Sequence, residues 1–88
     1  MTLVRVRGPL KRLAGDRSEH ELAGHTVQEL LLELEQRNPE LSGWVLDERG
    51  VLRRHINVYV NGERVEPQAG VLDEDKVDVL PAISGGAL

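Results

Sequence analysis

Ile56-Asn57-Val58-Tyr59-Val60-Asn61-Gly62-Glu63-Arg64-Val65 decides how this chain folds. Ile56, Val58 and Val60 alternate with His55, Asn57 and Tyr59, the period of a strand with one buried face. The run ends in Asn61-Gly62, the pair favoured where both central residues of a two-residue turn need positive φ. The chain is therefore expected to reverse there and return over residues 63–65. A hairpin with one apolar face needs a second layer to bury it.

That layer lies upstream. Thr26 and Glu29 have the spacing of a capping box, in which a hydroxyl and a carboxylate satisfy free amides of a helix's first turn. Val27, Leu30, Leu31 and Leu34 then fall on one apolar stripe at helical spacing. Asn38-Pro39 ends the helix, because proline drives the residue before it out of the helical region. Leu32 lies off the stripe and is expected to cover the following loop, residues 40–53. Trp44 is expected to pin that loop by burying its ring.

Downstream, Pro67 and Gly70 break the pairing, and Val71 and Leu72 are expected to close a turn against the core. Asp73-Glu74-Asp75-Lys76 leads into a last strand over residues 77–80, with Val77 and Val79 facing inward and Pro81 stopping the ladder. At the other end, residues 2–7 alternate, with Val4 and Val6 on one face and Leu3, Arg5 and Arg7 on the other. Gly8-Pro9 and Gly15-Asp16 bracket a loop, and residues 19–22 are read as a strand returning along the first. The order is hairpin, helix, hairpin, strand. It predicts an α+β roll, a mixed sheet of four to five strands packed on one main helix, formed by residues 1–80 and followed by a tail, residues 81–88.

Composition narrows what such a roll can do. At 88 residues one domain buries roughly 60% of the surface its unfolded chain exposes, which leaves no room for an enclosed substrate pocket beside a core. The chain has no cysteine, which removes disulfides, thiolate nucleophiles and cysteine metal sites together. The net charge of −4 hides a basic start, in which Arg5, Arg7, Lys11, Arg12 and Arg17 face only Asp16. Trp44 and Tyr59 are the only aromatics, too few to stack bases, so nucleic acid is not an expected partner. The basic edge fits either plain surface charge or the steering of an acidic protein. No apolar run is long enough to span a bilayer or to form a signal-peptide core, and the chain is expected to be soluble and cytoplasmic, with no membrane partner. His20, His25 and His55 are too scattered to read as metal ligands, and Ser84 has no base partner that would make it a nucleophile. Arg53-Arg54-His55 reads as solvated surface or as a partner contact.

The tail is the remaining chemistry. Leu80-Pro81-Ala82-Ile83-Ser84-Gly85-Gly86-Ala87-Leu88 carries no ionisable side chain, unlike an ordinary solvated tail. Gly85 and Gly86 lack Cβ atoms, so their backbone passes where other residues would not. Adjacent glycines also occur where a chain end merely frays, and the tail gains meaning from the body it follows.

Residues 56–65, followed by Asp75-Lys76-Val77-Asp78-Val79-Leu80-Pro81-Ala82-Ile83-Ser84-Gly85-Gly86, resemble the carboxy-terminal half of MoaD/ThiS-type sulfur carrier proteins. These have the β-grasp, or ubiquitin-like, fold. The likeness is nearest to the carriers that serve biosynthesis of cysteine or other sulfur metabolites. The specific motifs lie in residues 55–86, while the architecture matches over most of the chain.

The resemblance implies a protein that is not itself an enzyme and binds no cofactor. A ubiquitin-activating-type adenylyltransferase would use ATP to adenylate the carboxylate of Gly86, and sulfur would displace AMP to leave a thiocarboxylate. A sulfur-accepting synthase would then take the sulfur. Pro81, Ala82, Ile83, Ser84 and Gly85 would thread the partner's active site, and Arg5, Asn57, Tyr59 and Leu80 would form the docking face. This sequence departs from the pattern in continuing with Ala87-Leu88, which ties Gly86 up in an amide. Cleavage between Gly86 and Ala87 by a JAMM-type metalloprotease is therefore expected. Two other uses remain open: a modifier joined to proteins through Gly86, and a binding module that keeps the fold without the chemistry.

Overall fold

The Asn61-Gly62 turn closes with φ of 53° and 89°, both in the left-handed region that this pair tolerates best. It is seen in a computed structural model that describes residues 1–81. The elements are β1 (Thr2–Val6), α1 (Leu10–Leu13), β2 (Glu19–Leu22), α2 (Val27–Arg37), a 3-10 turn (Pro39–Leu41), β3 (Ile56–Val60), β4 (Glu63–Arg64) and β5 (Lys76–Pro81). The five strands form one mixed sheet in the order β2-β1-β5-β3-β4. Four neighbouring pairs hold it, with β1 and β5 parallel and the others antiparallel. The expected α+β roll is thus present, with five strands.

Each layer buries the face its period assigns. Val27, Leu30, Leu31 and Leu34 of α2 are fully buried against Val4, Val6, Val58, Val77 and Val79 of the sheet. The Thr26 side chain accepts the Glu29 amide at 3.2 Å. The Glu29 carboxylate reaches one residue further back than in the standard box, accepting the His25 amide at 2.7 Å. The helix stops at Arg37, and the Leu34 carbonyl accepts both the Asn38 amide at 3.1 Å and the Asn38 side chain at 2.9 Å.

Several expectations are corrected. The loop expected after Gly8-Pro9 contains α1, a single turn that starts on Pro9 and buries Leu10 and, just past its end, Ala14. Leu32 and Leu72 are 41% and 62% exposed, so neither covers a loop nor seals a turn. Val71 alone packs inward in that turn. β4 ends at Arg64, with the Val65 amide still bonded to the Val58 carbonyl. Pro81, expected as the first residue of the tail, is the last residue of β5 and lies opposite Ile56. Proline has no amide to give a ladder but keeps its carbonyl, so it can close a strand as its last rung.

Trp44 is the largest departure: its ring is 55% exposed and does not pin the loop. Leu41, Val45 and Leu46 fill the interior there instead. One oxygen of the Glu35 carboxylate accepts the amides of Val45 and Leu46, at 3.1 and 2.9 Å. Glu35→Ala would leave two loop amides without their acceptor, and charged hydrogen bonds of this kind are worth about 2 kcal/mol. The variant is expected to unfold at lower urea by that amount, with Glu35→Gln recovering part of it. Equal midpoints for wild type and alanine would show that the loop is held by its apolar residues alone. Among the described residues, no helix is long and apolar enough to cross a membrane.

Candidate functional site

The face of the sheet turned away from α2 carries the residues expected to dock a partner, and strand register brings them together. Arg5 lies opposite Asp78 across the parallel β1–β5 pair, and Tyr59 lies opposite Asp78 from the other side. Glu19 opposes Arg5, and Arg64 opposes Tyr59. One row of side chains, Glu19, Arg5, Asp78, Tyr59 and Arg64, therefore runs across all five strands. Asn57 opposes Leu80 in the next row towards the end of β5. All four expected docking residues, Arg5, Asn57, Tyr59 and Leu80, are partly exposed around this point.

Asp78 organises the row. An Arg5 Nη donates to Asp78 Oδ2 at 3.0 Å. Arg5 Nε lies 2.8 Å from Oδ1 but is out of line for a hydrogen bond, so that contact is one of charge. Arg7 approaches the same oxygen at 3.5 Å. Two cations thus share one carboxylate whose side chain is only 16% exposed, leaving the face polar, fixed in shape and slightly positive. Asp78 and Arg7 were not among the expected docking residues. Their outward position on alternating strands was readable, but the register that pairs Arg5 with Asp78 was not. Beside them Tyr59, Gly62 and Leu80 complete a shallow hollow of about 300 Å³.

The β3–β4 turn is tied to the start of β5. The Asn61 side chain donates to Asp75 at 2.9 Å and accepts the Lys76 amide at 3.0 Å, while the Asp75 carboxylate also accepts the Leu72 amide at 2.8 Å. The Leu72 amide and then the Asn61 side chain hold the Asp75 carboxyl below its ordinary value of 3.8. A carboxyl depressed in the folded state contributes stability that is complete above its unfolded value and lost as pH falls through the folded one. The gap in denaturation midpoint between wild type and Asp75→Asn is therefore expected to stay constant from about pH 7 to about pH 5 and to shrink below about pH 4. A gap that is unchanged at about pH 3 would contradict this assignment.

This face of the sheet is polar and shallow. Among the described residues, no three His, Asp or Glu side chains are grouped to hold a metal. Leu80 and Pro81 lead the chain out beside the Arg5–Asp78 row. Ala82, Ile83, Ser84, Gly85, Gly86 and Ala87, the expected threading, modification and processing residues, lie outside the described residues.

Known proteins share this fold. Sulfur carrier protein CysO of Mycobacterium tuberculosis is 31% identical over 83 residues, covering 88% of this chain and 89% of its own length. A chain in the crystal structure of the Amycolatopsis orientalis BexX/CysO complex superposes with a TM-score of 0.85 at 33% identity, covering 98% of this chain and all of that one. The SAMP1 protein of Haloferax volcanii has a TM-score of 0.81 at 30% identity, over 97% of this chain and 98% of that one. The model of the ThiS family matches residues 4–86. A match over nearly the whole chain, joined to the β-grasp sheet and the outgoing β5, makes this chain a member of the ThiS family, the MoaD/ThiS-type sulfur carriers.

Proposed function

We propose that the protein carries sulfur as a thiocarboxylate on Gly86. The family match stops at Gly86, the second glycine, and this observation carries the reading. A carboxylate oxygen of Gly86 would attack the α-phosphorus of ATP held by an activating enzyme, forming an acyl-adenylate and releasing pyrophosphate. Hydrosulfide would then add to the acyl carbon and expel AMP, leaving the thiocarboxylate for a sulfur-accepting synthase. The partner supplies the phosphate binding and the charge stabilisation. This chain contributes position, because docking its rigid sheet makes attack by the tail effectively intramolecular.

The Arg5–Asp78 row with Asn57, Tyr59 and Leu80 is the docking face in this reading, and Ala82 to Gly85 thread the active site behind Pro81. Ala87 and Leu88 must be removed first, by a metalloprotease of the JAMM type cutting after Gly86. The dependence on ATP fits the cytoplasm. Mass spectrometry tests the sequence of events. Treatment with the protease should remove the mass of Ala-Leu, and ATP, sulfide and the activating enzyme should then exchange one oxygen for sulfur. A mass that stays unchanged through both steps would overturn the proposal.

The likeness to SAMP1, small archaeal modifier protein 1 of Haloferax volcanii, supports a second use of the same activated glycine: an isopeptide bond to lysines of other proteins. Ladders of covalent adducts in cell extract would mark that use, and a thiocarboxylated monomer alone would mark the carrier.

A further inference from the structure

A second surface borders the root of the tail, on the opposite side of β5 from the Arg5–Asp78 row. Pro9, Leu10, Leu13, Trp44, Ile56 and Pro81 line an apolar groove of about 310 Å³. Its remaining lining residues, Arg12 and His55, are exposed and basic, and among the described residues no carboxylate lines it. Arg12 has no carboxylate within salt-bridge distance among the described residues. The fold does not use Trp44, since the loop that carries it is held by Leu41, Val45, Leu46 and Glu35. A half-exposed tryptophan over a concave apolar surface with a positive edge has the composition of an interface centre, where Trp and Arg are enriched.

The tail's reach says what lies against it. From Pro81 to Gly86, five extended residues span only about 17 Å. A protein that takes Gly86 into a buried site must bring its body up to the surface around Pro81, and Pro81 is itself a wall of the groove. We propose that this groove is a second docking surface, which accepts an apolar side chain flanked by carboxylates from the protein that receives the tail. The partner then grips the tail's root from both sides of the sheet, with Leu80 facing one contact and Pro81 the other. Its identity as the tail's receiver rests on the carrier reading; the chemistry of the groove does not.

Two measurements test the proposal separately from that reading. In the first, the isotope-labelled full chain is titrated with the acetylated, amidated peptide Asp-Glu-Leu-Leu-Asp-Glu and followed by amide and indole NMR shifts. Shifts should gather on the Trp44 indole, the amides of residues 10–13, and His55 and Ile56. Binding should weaken about tenfold in Trp44→Ala or Arg12→Glu, and similarly from about 0.05 to about 0.5 M salt. Both side chains are exposed, so both variants should keep the wild-type denaturation midpoint.

In the second, the same variants, ending at Gly86, are assayed with the activating enzyme. KM for the carrier should rise about tenfold with kcat unchanged. Equal binding of a Lys-Lys-Leu-Leu-Lys-Lys peptide, shifts confined to Arg5, Tyr59 and Leu80, or no shifts would each overturn the groove. Trp44 shifts that depend only on the chain's own concentration would also overturn it, by making the occupant a second copy. Peptide binding in a chain that never accepts sulfur would sink the carrier reading and keep the groove's chemistry. Sulfur transfer with an unchanged KM would do the reverse, removing the partner from the groove.

Discussion

A chain ending at Gly86 is expected to be adenylated and thiocarboxylated with no protease present, while one that continues through Ala87-Leu88 keeps its starting mass under the same conditions. In the longer chain the Gly86 carbonyl belongs to an amide and has no free oxygen with which to attack ATP. The only terminal carboxylate then sits on Leu88, about 7 Å further along an extended backbone and on a residue with a branched side chain. A site built to align a glycine carboxylate within bonding distance of phosphorus loses that alignment over far smaller errors, and effective molarity falls steeply with misplacement. Gly86→Val in the shorter chain should accordingly lower the rate by about a hundredfold or more. Equal rates for the longer and shorter chains would refute the assignment of Gly86 as the acceptor.

The second large effect concerns two neighbours on one helix. Leu31→Ala should cost about 3 kcal/mol and Leu32→Ala less than about 1 kcal/mol, read from urea unfolding followed by circular dichroism. Leu31 is fully buried on the stripe that meets the sheet, whereas Leu32 is 41% exposed. Removing Leu31 strips apolar contacts and leaves a cavity that the rigid sheet cannot collapse to fill. A domain of this size is stable by only about 5 to 13 kcal/mol, so the first change takes a large share and the second very little. Similar losses at both positions would mean that the helix packs on a different face.

Periodic signals carried into the structure with little loss. Thr26 and Glu29 cap the helix, Val27, Leu30, Leu31 and Leu34 are its buried stripe, and Asn61-Gly62 makes the turn. Each depends on residues a few positions apart, so local chemistry decides it. Trp44 failed the same kind of reading because residues 40–53 have no period. The side chains of Leu41, Val45 and Leu46 enter the core instead, in a loop whose Val45 amide bonds to Glu35 ten residues earlier, a contact no local period announces. The helical turn after Pro9 had a visible sign, since Leu10, Leu13 and Ala14 are spaced for one face and proline suits a first turn.

At the site, the choice of Arg5, Asn57, Tyr59 and Leu80 came through family resemblance, and the structure places them around Asp78. That grouping depends on the register of a parallel pair whose partners stand 73 positions apart in the chain, which alternation along a single strand does not encode. The tail's glycines took their expected role from the resemblance carried by residues 55–86, since adjacent glycines also occur where a chain end frays.

The place of β5 in the sheet bears on how the protein is made. Among the described strands it is the last to leave the ribosome, yet it must slot between β1 and β3, so the earlier strands have no continuous sheet until it arrives. Synthesis runs from the amino terminus, and pairings between distant segments form late. Nascent chains cut short before residue 76 lack the central strand and should stay open to proteolysis. The cell would thus accumulate folded bodies only when the strand that leads into the tail has been completed.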